Sequence, residues 1–175
     1  SNKRLCVRVN SQDTIPALVD VCITTDTHTG TRALWRSDRL RKLFLTFAEP
    51  GQVGLSSIGS LLSPTTREDN NGLVIDIDPT AKEFKKLMAP IAPGLFEPVA
   101  ITNYEPISIN QKCVLDNSVG TLAYDGEREV TVFSGDRIEI ALDRRGPRTI
   151  DMTKTIENIA YSGLLINDDS LQSRR

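Results

Sequence analysis

The run TLAYDGEREVTVFSGDRIEIAL, residues 121–142, carries the strongest structural signal in the chain. Asp125-Gly126 stands between two alternating apolar runs, the residue pair that a tight hairpin with two positive φ angles favours. Val130 and Val132 share one side of their strand, as do Ile138, Ile140 and Leu142 of the next. That period of two puts one side of each strand against a core. Ser134-Gly135-Asp136 offers a second turn, so the stretch predicts a meander of three strands.

Outward from it, more strand signals follow. LCVRVN (5–10) alternates Leu5, Val7 and Val9 against Cys6, Arg8 and Asn10. ALVDVCIT (17–24) is a continuous apolar run and reads as a more buried strand. GLVIDID (72–78), PVAITN (98–103) and PISIN (106–110) are short runs, several of them bounded by Pro, Asn or Asp. Helical spacing is rarer. Met152, Ile156, Ile159, Ala160 and Leu164 recur at helical intervals behind Asp151 as a cap. PTAKEFKKLM (79–88) reads as a short helix with Phe84, Leu87 and Met88 on one face. SDRLRKLFLTF (37–47) fits a helix through Leu40, Leu43, Phe44 and Phe47, and a strand through Leu43, Leu45 and Phe47. Many short strands with few short helices predict a mainly β chain, folded as a β-sandwich.

The chain has 175 residues, enough for one domain with a sizeable core. Ser1-Asn2 reads as the remnant of a cleaved tag, residues 3–166 as one domain, and 167–175 as a disordered polar tail. A net charge of −2 and a pI near 5.5 argue against nucleic acid as the main partner. No apolar run approaches the ~20 residues that span a bilayer, so no membrane partner is expected. Cys6, Cys22 and Cys113 are scattered, with no CxxC spacing, which suits reduced cysteines in a cytoplasmic protein. His28 is the only histidine, which disfavours a His-based triad or a zinc site.

The chemistry-bearing candidate is AEPGQVGLSSIGS, residues 48–60. Pro50 stops the preceding element. Gly51 and Gly54 can adopt positive φ and turn backbone N–H groups toward one point. Leu55, Ile58, Leu61 and Leu62 then follow at helical spacing. A glycine loop opening a helix is a ready anion site, with the hydroxyls of Ser56 and Ser57 beside it. The same residues also suit a plain turn into a helix. Other positions divide in the same way. Asp125 reads as a turn residue and His28 as a solvated loop residue. Trp35 reads as core or interface. Arg144, Arg145 and Arg148 read as a solvated turn or a phosphate grip. Arg67-Glu68-Asp69 reads as a solvated loop or as acids facing a cleft that help hold Mg²⁺.

The order of LVDVCIT, AEPGQVGLSSIG, MAPIAPGLFEPV and VGTLAYDGEREVTVFSGDRIEIAL resembles the C-terminal half of the ATP-NAD kinase family, in its acetoin catabolism protein X-like branch. The resemblance covers most of residues 4–165. It implies a β-sandwich packed on an N-terminal α/β domain, with nucleotide sites between the two, and a homo-oligomer. It also implies that RKLFLTF is a strand entering the glycine loop. The full-length protein would transfer phosphate from ATP, with Mg²⁺, to NAD or a related nucleotide. The residues it places at the nucleotide are Asp20, Glu49, Gly51, Gly54, Ser56 and Ser57. Typical members carry Asn-Glu where this chain has Val19-Asp20, and a tyrosine and threonines in the loop that are missing here. The family's Gly-Gly-Asp-Gly motif, with the catalytic aspartate, belongs to the N-terminal half and does not occur in this chain. The resemblance therefore implies that the domain alone is inactive. The alternative is a non-catalytic ligand-binding or regulatory module.

Overall fold

A computed structural model describes residues 2–14, 16–26, 36–116 and 118–166. His28, Trp35 and the 167–175 tail lie outside them. The described residues form two antiparallel sheets. The smaller has Arg4–Val9 (β1) between the short Gln12–Asp13 (β2) and Arg137–Asp143 (β11), with Lys112–Asp116 (β8) on the far side of β11. The larger sheet is built from Asp20–Thr24 (β3), Leu40–Leu45 (β4), Asn71–Ile77 (β5), Lys85–Ala92 (β6), Leu95–Ser108 (β7), Gly120–Tyr124 (β9) and Arg128–Val132 (β10). Its order is β10-β9-β3-β4-β5-β7-β6. Helix α1 spans Leu55–Leu62 and α2 spans Met152–Ser162.

The period of two explains the stacking. Leu5, Val7, Ile138, Ile140 and Leu142 of the small sheet pack on Val21, Ile23, Phe44, Val74, Leu122 and Tyr124 of the large one. Alternate residues of the same large-sheet strands, Cys22, Leu43, Leu45, Leu73 and Ile75, point to the opposite face, where Ile58 of α1 closes a second core. The large sheet is thus buried on both faces at its centre, which accounts for the continuous apolar run in β3. The β-sandwich reading holds, and RKLFLTF is a strand leading to the glycine loop.

Three sequence readings are corrected. The stretch 79–88 is not a helix. Leu87 and Ala89 turn toward the second core with a period of two, while Phe84 and Met88 remain nearly half exposed. Backbone pairing of β6 with β7 prevails over a helical pattern barely one turn long. PVAITN and PISIN are one strand, β7, which pairs with β6 over Leu95–Ile101 and with β5 over Ile101–Ser108. Pro98 and Pro106 fall where β7 has a single neighbour, so neither missing N–H breaks a two-sided ladder. The three-strand meander is also not formed. β9 and β10 pair as the Asp125-Gly126 hairpin, but β11 crosses to the other sheet and pairs with β1 and β8. Val132 and Ile138 both reach the same interior only because the turn at Gly135, with φ 92°, passes the chain from one sheet to the other.

Among the described residues no helix is long and apolar enough to cross a membrane. The cysteines are unpaired, Cys22 buried and Cys6 and Cys113 partly so.

Candidate functional site

The site grows from the crossing of the chain between sheets at residues 17–20. Ala17 still bridges to Leu5 in the small sheet, and Asp20 opens β3 in the large one. Between them Leu18 and Val19 lie outside any strand, so their N–H groups find no ladder acceptor, and the Val19 N–H is shielded from water. Asp125 supplies one. Its carboxylate accepts from the N–H groups of Leu18 at 3.0 Å, Val19 at 2.8 Å and Asp20 at 3.2 Å. Arg128 donates to its other oxygen at 2.8 Å. Asp125 takes a left-handed φ of 51° in the hairpin, a region that Asp tolerates better than most residues. Thr46, just after β4, donates its hydroxyl to the Leu18 carbonyl at 2.8 Å and closes the crossing from the other side. The turn residue of the sequence reading thus anchors the crossover, a role no local pattern signals because its partners lie more than a hundred positions away.

Asp20 sits opposite Leu45 at the end of β4. It is 8% exposed, and its Oδ1 has no hydrogen-bond partner among the described residues. Burial, with the neighbouring Asp125 charge adding to it, pushes its carboxyl up to about 7.

Beyond β4 the chain runs through Phe47, Ala48 and Glu49 into the glycine loop. Ala48 exchanges backbone hydrogen bonds with Thr65. Glu49 accepts from the Arg67 N–H at 3.2 Å and lies 3.8 Å from its guanidinium. Gly51 and Gly54 have φ of 84° and 86°, and a Cβ at either would meet nothing within 4 Å. No side chain caps the first turn of α1. The Ser57 hydroxyl is buried and donates back to the Gly54 carbonyl at 2.6 Å, so it shapes the turn from inside. Ser56 is buried as well. Gly59, one turn on, lets the helix lie against β4, since a Cβ there would stand 2.3 Å from Leu45 Cδ1 and 2.8 Å from Ala48 Cβ.

A cleft of about 280 Å³ is lined by Lys3, Leu18, Val19, Phe47, Arg67 and Thr149 among others, and none of Asp20, Glu49, Gly51, Gly54, Ser56 and Ser57 is in its lining. Arg67 lies over the Phe47 ring at 3.7 Å. Lys3 is 2% exposed and donates to the carbonyls of Thr66 at 2.7 Å and Asn71 at 2.5 Å. Burial, then the Arg144 charge, lowers its ammonium to about 8. Arg144 donates to the carbonyls of Glu68 and Asp69 and to Asn70 Oδ1. Lys3 and Arg144 together clamp the 66–71 loop. Arg145 is engaged with Asp143 at 2.7 Å. The DRRGPR stretch is therefore not a purely solvated turn, because two of its arginines, Arg144 and Arg145, hold protein acceptors. Asp69 is held too, accepting from the Thr66 N–H at 2.7 Å. Lys3 was missed by sequence reasoning. A lone lysine near the chain start carries no local sign of burial.

The structure thus brings Val19, Phe47 and the Glu49 partner Arg67 to one cleft, and sets Gly51, Gly54, Ser56 and Ser57 on the loop and helix that follow. Residues 3–145 match the family described as acetoin catabolism protein X C-terminal domain. The chain belongs to that family. It is also similar to acetoin catabolism protein X of Cupriavidus necator, 34% identical over 149 residues, covering 85% of this chain and 42% of that protein. The chain spans less than half the length of that curated relative. The matched region ends before α2, which begins at Met152.

Proposed function

We propose that this domain forms the C-terminal wall of a nucleotide site in a longer ATP-NAD kinase-like protein, which transfers phosphate from ATP to NAD or a related nucleotide. The observation that carries the reading is the loop between β4 and α1. Two glycines hold positive φ with open space around them, and they lead into a helix whose first turn has no side-chain cap. The Gly54 N–H itself donates to the Pro90 carbonyl at 3.2 Å, and the turn offers an anion the positive end of a helix dipole. Asp20 adds a nearly buried carboxyl with an unpartnered oxygen at the sheet end from which that loop departs.

Each residue has a role in this reading. Gly51 and Gly54 let the backbone approach a phosphate or ribose. Ser56 and Ser57 shape the turn, and Ser57 does so through its bond to the Gly54 carbonyl. Asp20 accepts from a hydroxyl or amine of the ligand. Glu49 holds Arg67 beside the cleft. Among the described residues no three His, Cys, Asp or Glu side chains gather at one point. In this reading Mg²⁺ rides on the ATP phosphates. Catalysis by such a protein is mainly positioning and charge neutralisation. The catalytic acid and the phosphate cradle belong to the N-terminal domain, so the domain alone is inactive. A cytoplasmic location and a homo-oligomer complete the reading.

The test is calorimetric titration of the full-length protein with NAD and with ATP and Mg²⁺. Gly54→Ala and Asp20→Ala should each weaken one of these ligands by about tenfold, or ~1.4 kcal/mol. Unchanged affinity for both ligands in both variants rejects the assignment.

A further inference from the structure

Arg67 brings to the cleft a guanidinium that is fixed in place without a hydrogen-bond acceptor among the described residues. The fixing starts at the backbone. Ala48 and Thr65 exchange main-chain hydrogen bonds, Lys3 holds the carbonyls of Thr66 and Asn71, and Arg144 holds that of Asp69. The Arg67 N–H itself donates to Glu49 at 3.2 Å. The guanidinium carbon then lies 3.7 Å from the centroid of the Phe47 ring, which is 3% exposed and forms a rigid floor. At that separation the guanidinium faces the ring, so its N–H edges point along the ring plane and not into it. The Glu49 carboxylate stands 3.8 Å from Nε, outside hydrogen-bond range, and leaves the two Nη groups open to another acceptor. Arg4, Arg128 and Arg145 differ, each donating to a carboxylate at 2.7 or 2.8 Å.

We propose that this cleft binds a small organic carboxylate, its carboxyl group on the Nη groups of Arg67 and its apolar body against Leu18, Val19 and Pro147. The lining selects that class. An arginine fork matches a carboxylate or a phosphate with two parallel hydrogen bonds. The rest of the lining separates the two anions. Leu18, Val19, Phe47 and Pro147 offer apolar surface, which shields the body of an organic acid from water but leaves further phosphate oxygens without donors. Lys3 is the other cation of the lining, and two of its three N–H groups are already given to the Thr66 and Asn71 carbonyls. One free fork beside apolar walls suits a ligand with one charge at one end. Thr149 adds a hydroxyl to the same lining.

Size limits the ligand further. Pockets for drug-sized molecules run from roughly 300 to 1,000 Å³. At about 280 Å³ the cleft suits a compact acid and is too small to enclose a dinucleotide. Because the loop and Phe47 already fix Arg67, little of its side-chain freedom remains to be lost on binding. None of the residues assigned to the nucleotide lines the cleft, so either reading can fail while the other stands.

Benzoate is the probe, and equilibrium dialysis of the radiolabelled acid against the full-length protein is the measurement. A Kd near or below about 1 mM is expected. Arg67→Gln should weaken binding at least about tenfold, because a charged fork becomes a neutral amide. Arg67→Lys keeps the charge without the fork and should fall between. Leu18→Trp, at a position 40% exposed, should narrow the cleft and weaken binding with Arg67 intact, which keeps the test open should Arg67→Gln not fold. Benzyl alcohol has the same body without the charge and should compete at least about tenfold less well than unlabelled benzoate. Neither inorganic phosphate nor NAD should displace the label. Absent benzoate binding, or binding that Arg67→Gln leaves unchanged, overturns the proposal. Displacement by phosphate as effective as by benzoate overturns it in favour of a plain anion site, and displacement by NAD makes the cleft part of the nucleotide site.

Discussion

Removing the Asp125 carboxylate by Asp125→Ala should cost the fold about 3 kcal/mol, and the size follows from its partners. The N–H groups of Val19 and Asp20 are partly shielded and lose their acceptor. A shielded donor left unmade costs about 1–3 kcal/mol. The Leu18 N–H is exposed and turns to water, so it adds little. Arg128 keeps the Pro16 carbonyl at 3.1 Å and also loses little. A left-handed φ at an alanine adds roughly 1 kcal/mol. Relief of the repulsion with Asp20 returns part of the total. In a domain this size about 3 kcal/mol lowers the thermal midpoint by roughly 6–12 °C. Asp125→Asn keeps one carbonyl oxygen for Val19 and Asp20 and tolerates the positive φ, so it should lose less than half as much. Asp116→Ala is the control. Its ion pair with Arg137 at 3.6 Å is well exposed on both sides, so it should cost under ~1 kcal/mol. Urea and thermal unfolding of the four proteins decide the matter. An alanine variant within ~1 kcal/mol of the parent would refute the crossover anchor.

Asp20 should give the fold an unusual pH dependence. Its carboxyl is raised from 3.8 to about 7 in the folded state, so between those values the folded chain holds a proton the unfolded chain has released. Stability therefore falls as pH rises from ~4 to ~7, by at most about 4 kcal/mol for a gap of that size. Asp20→Asn should remove the slope, leaving the variant more stable than the parent at pH 8 and close to it at pH 4; parallel slopes in urea midpoints across that range would contradict the burial argument. Gly59→Val should cost about 2 kcal/mol or more, because its branched side chain would meet Leu45 and Ala48 in a closed core, whereas an unchanged urea midpoint would mean that α1 does not lie tightly on β4.

What could be read in the sequence was what repeats along it. β1 and β10 show a period of two, and α2 a helical one, whereas RKLFLTF fitted both periods and only the resemblance made it a strand. The helix at 79–88 was misread for the same reason in reverse. Lys85 and Lys86 on an edge strand leave only Leu87 and Ala89 to mark the period, too few to outweigh a chance helical match. The break assigned inside β7 came from prolines that are harmless where a strand has one neighbour. The crossing of β11 to the other sheet was invisible locally, since β10 and β11 carry the same pattern whether they pair or face each other across a core. In the glycine loop, the turn and the helix start were legible from spacing. The buried state of Ser57 was not, because a serine facing inward to a backbone carbonyl looks in sequence like one facing outward to a ligand.

The least legible feature bears most on the site. Asp20 carries an Oδ1 with no hydrogen-bond partner among the described residues. Its backbone is fixed by Asp125 from one side, and Leu45 and the Thr46 clamp fix β4 from the other. A stability-minded sequence would put an apolar residue at such a position, as Cys22 and Leu45 do beside it, because a buried carboxyl without a partner costs free energy whether it is charged or has to bind a proton. Both anchors close the crossover between the sheets, and Asp20 is held still as a consequence. Under the proposed nucleotide reading, the acid so held would be a preorganised contact for the ligand. The pH experiment on Asp20 therefore bears on function as well as stability. A measured slope that disappears when NAD or ATP is bound to the full-length protein would link the acid to the ligand, and a slope that persists unchanged would assign it to the fold.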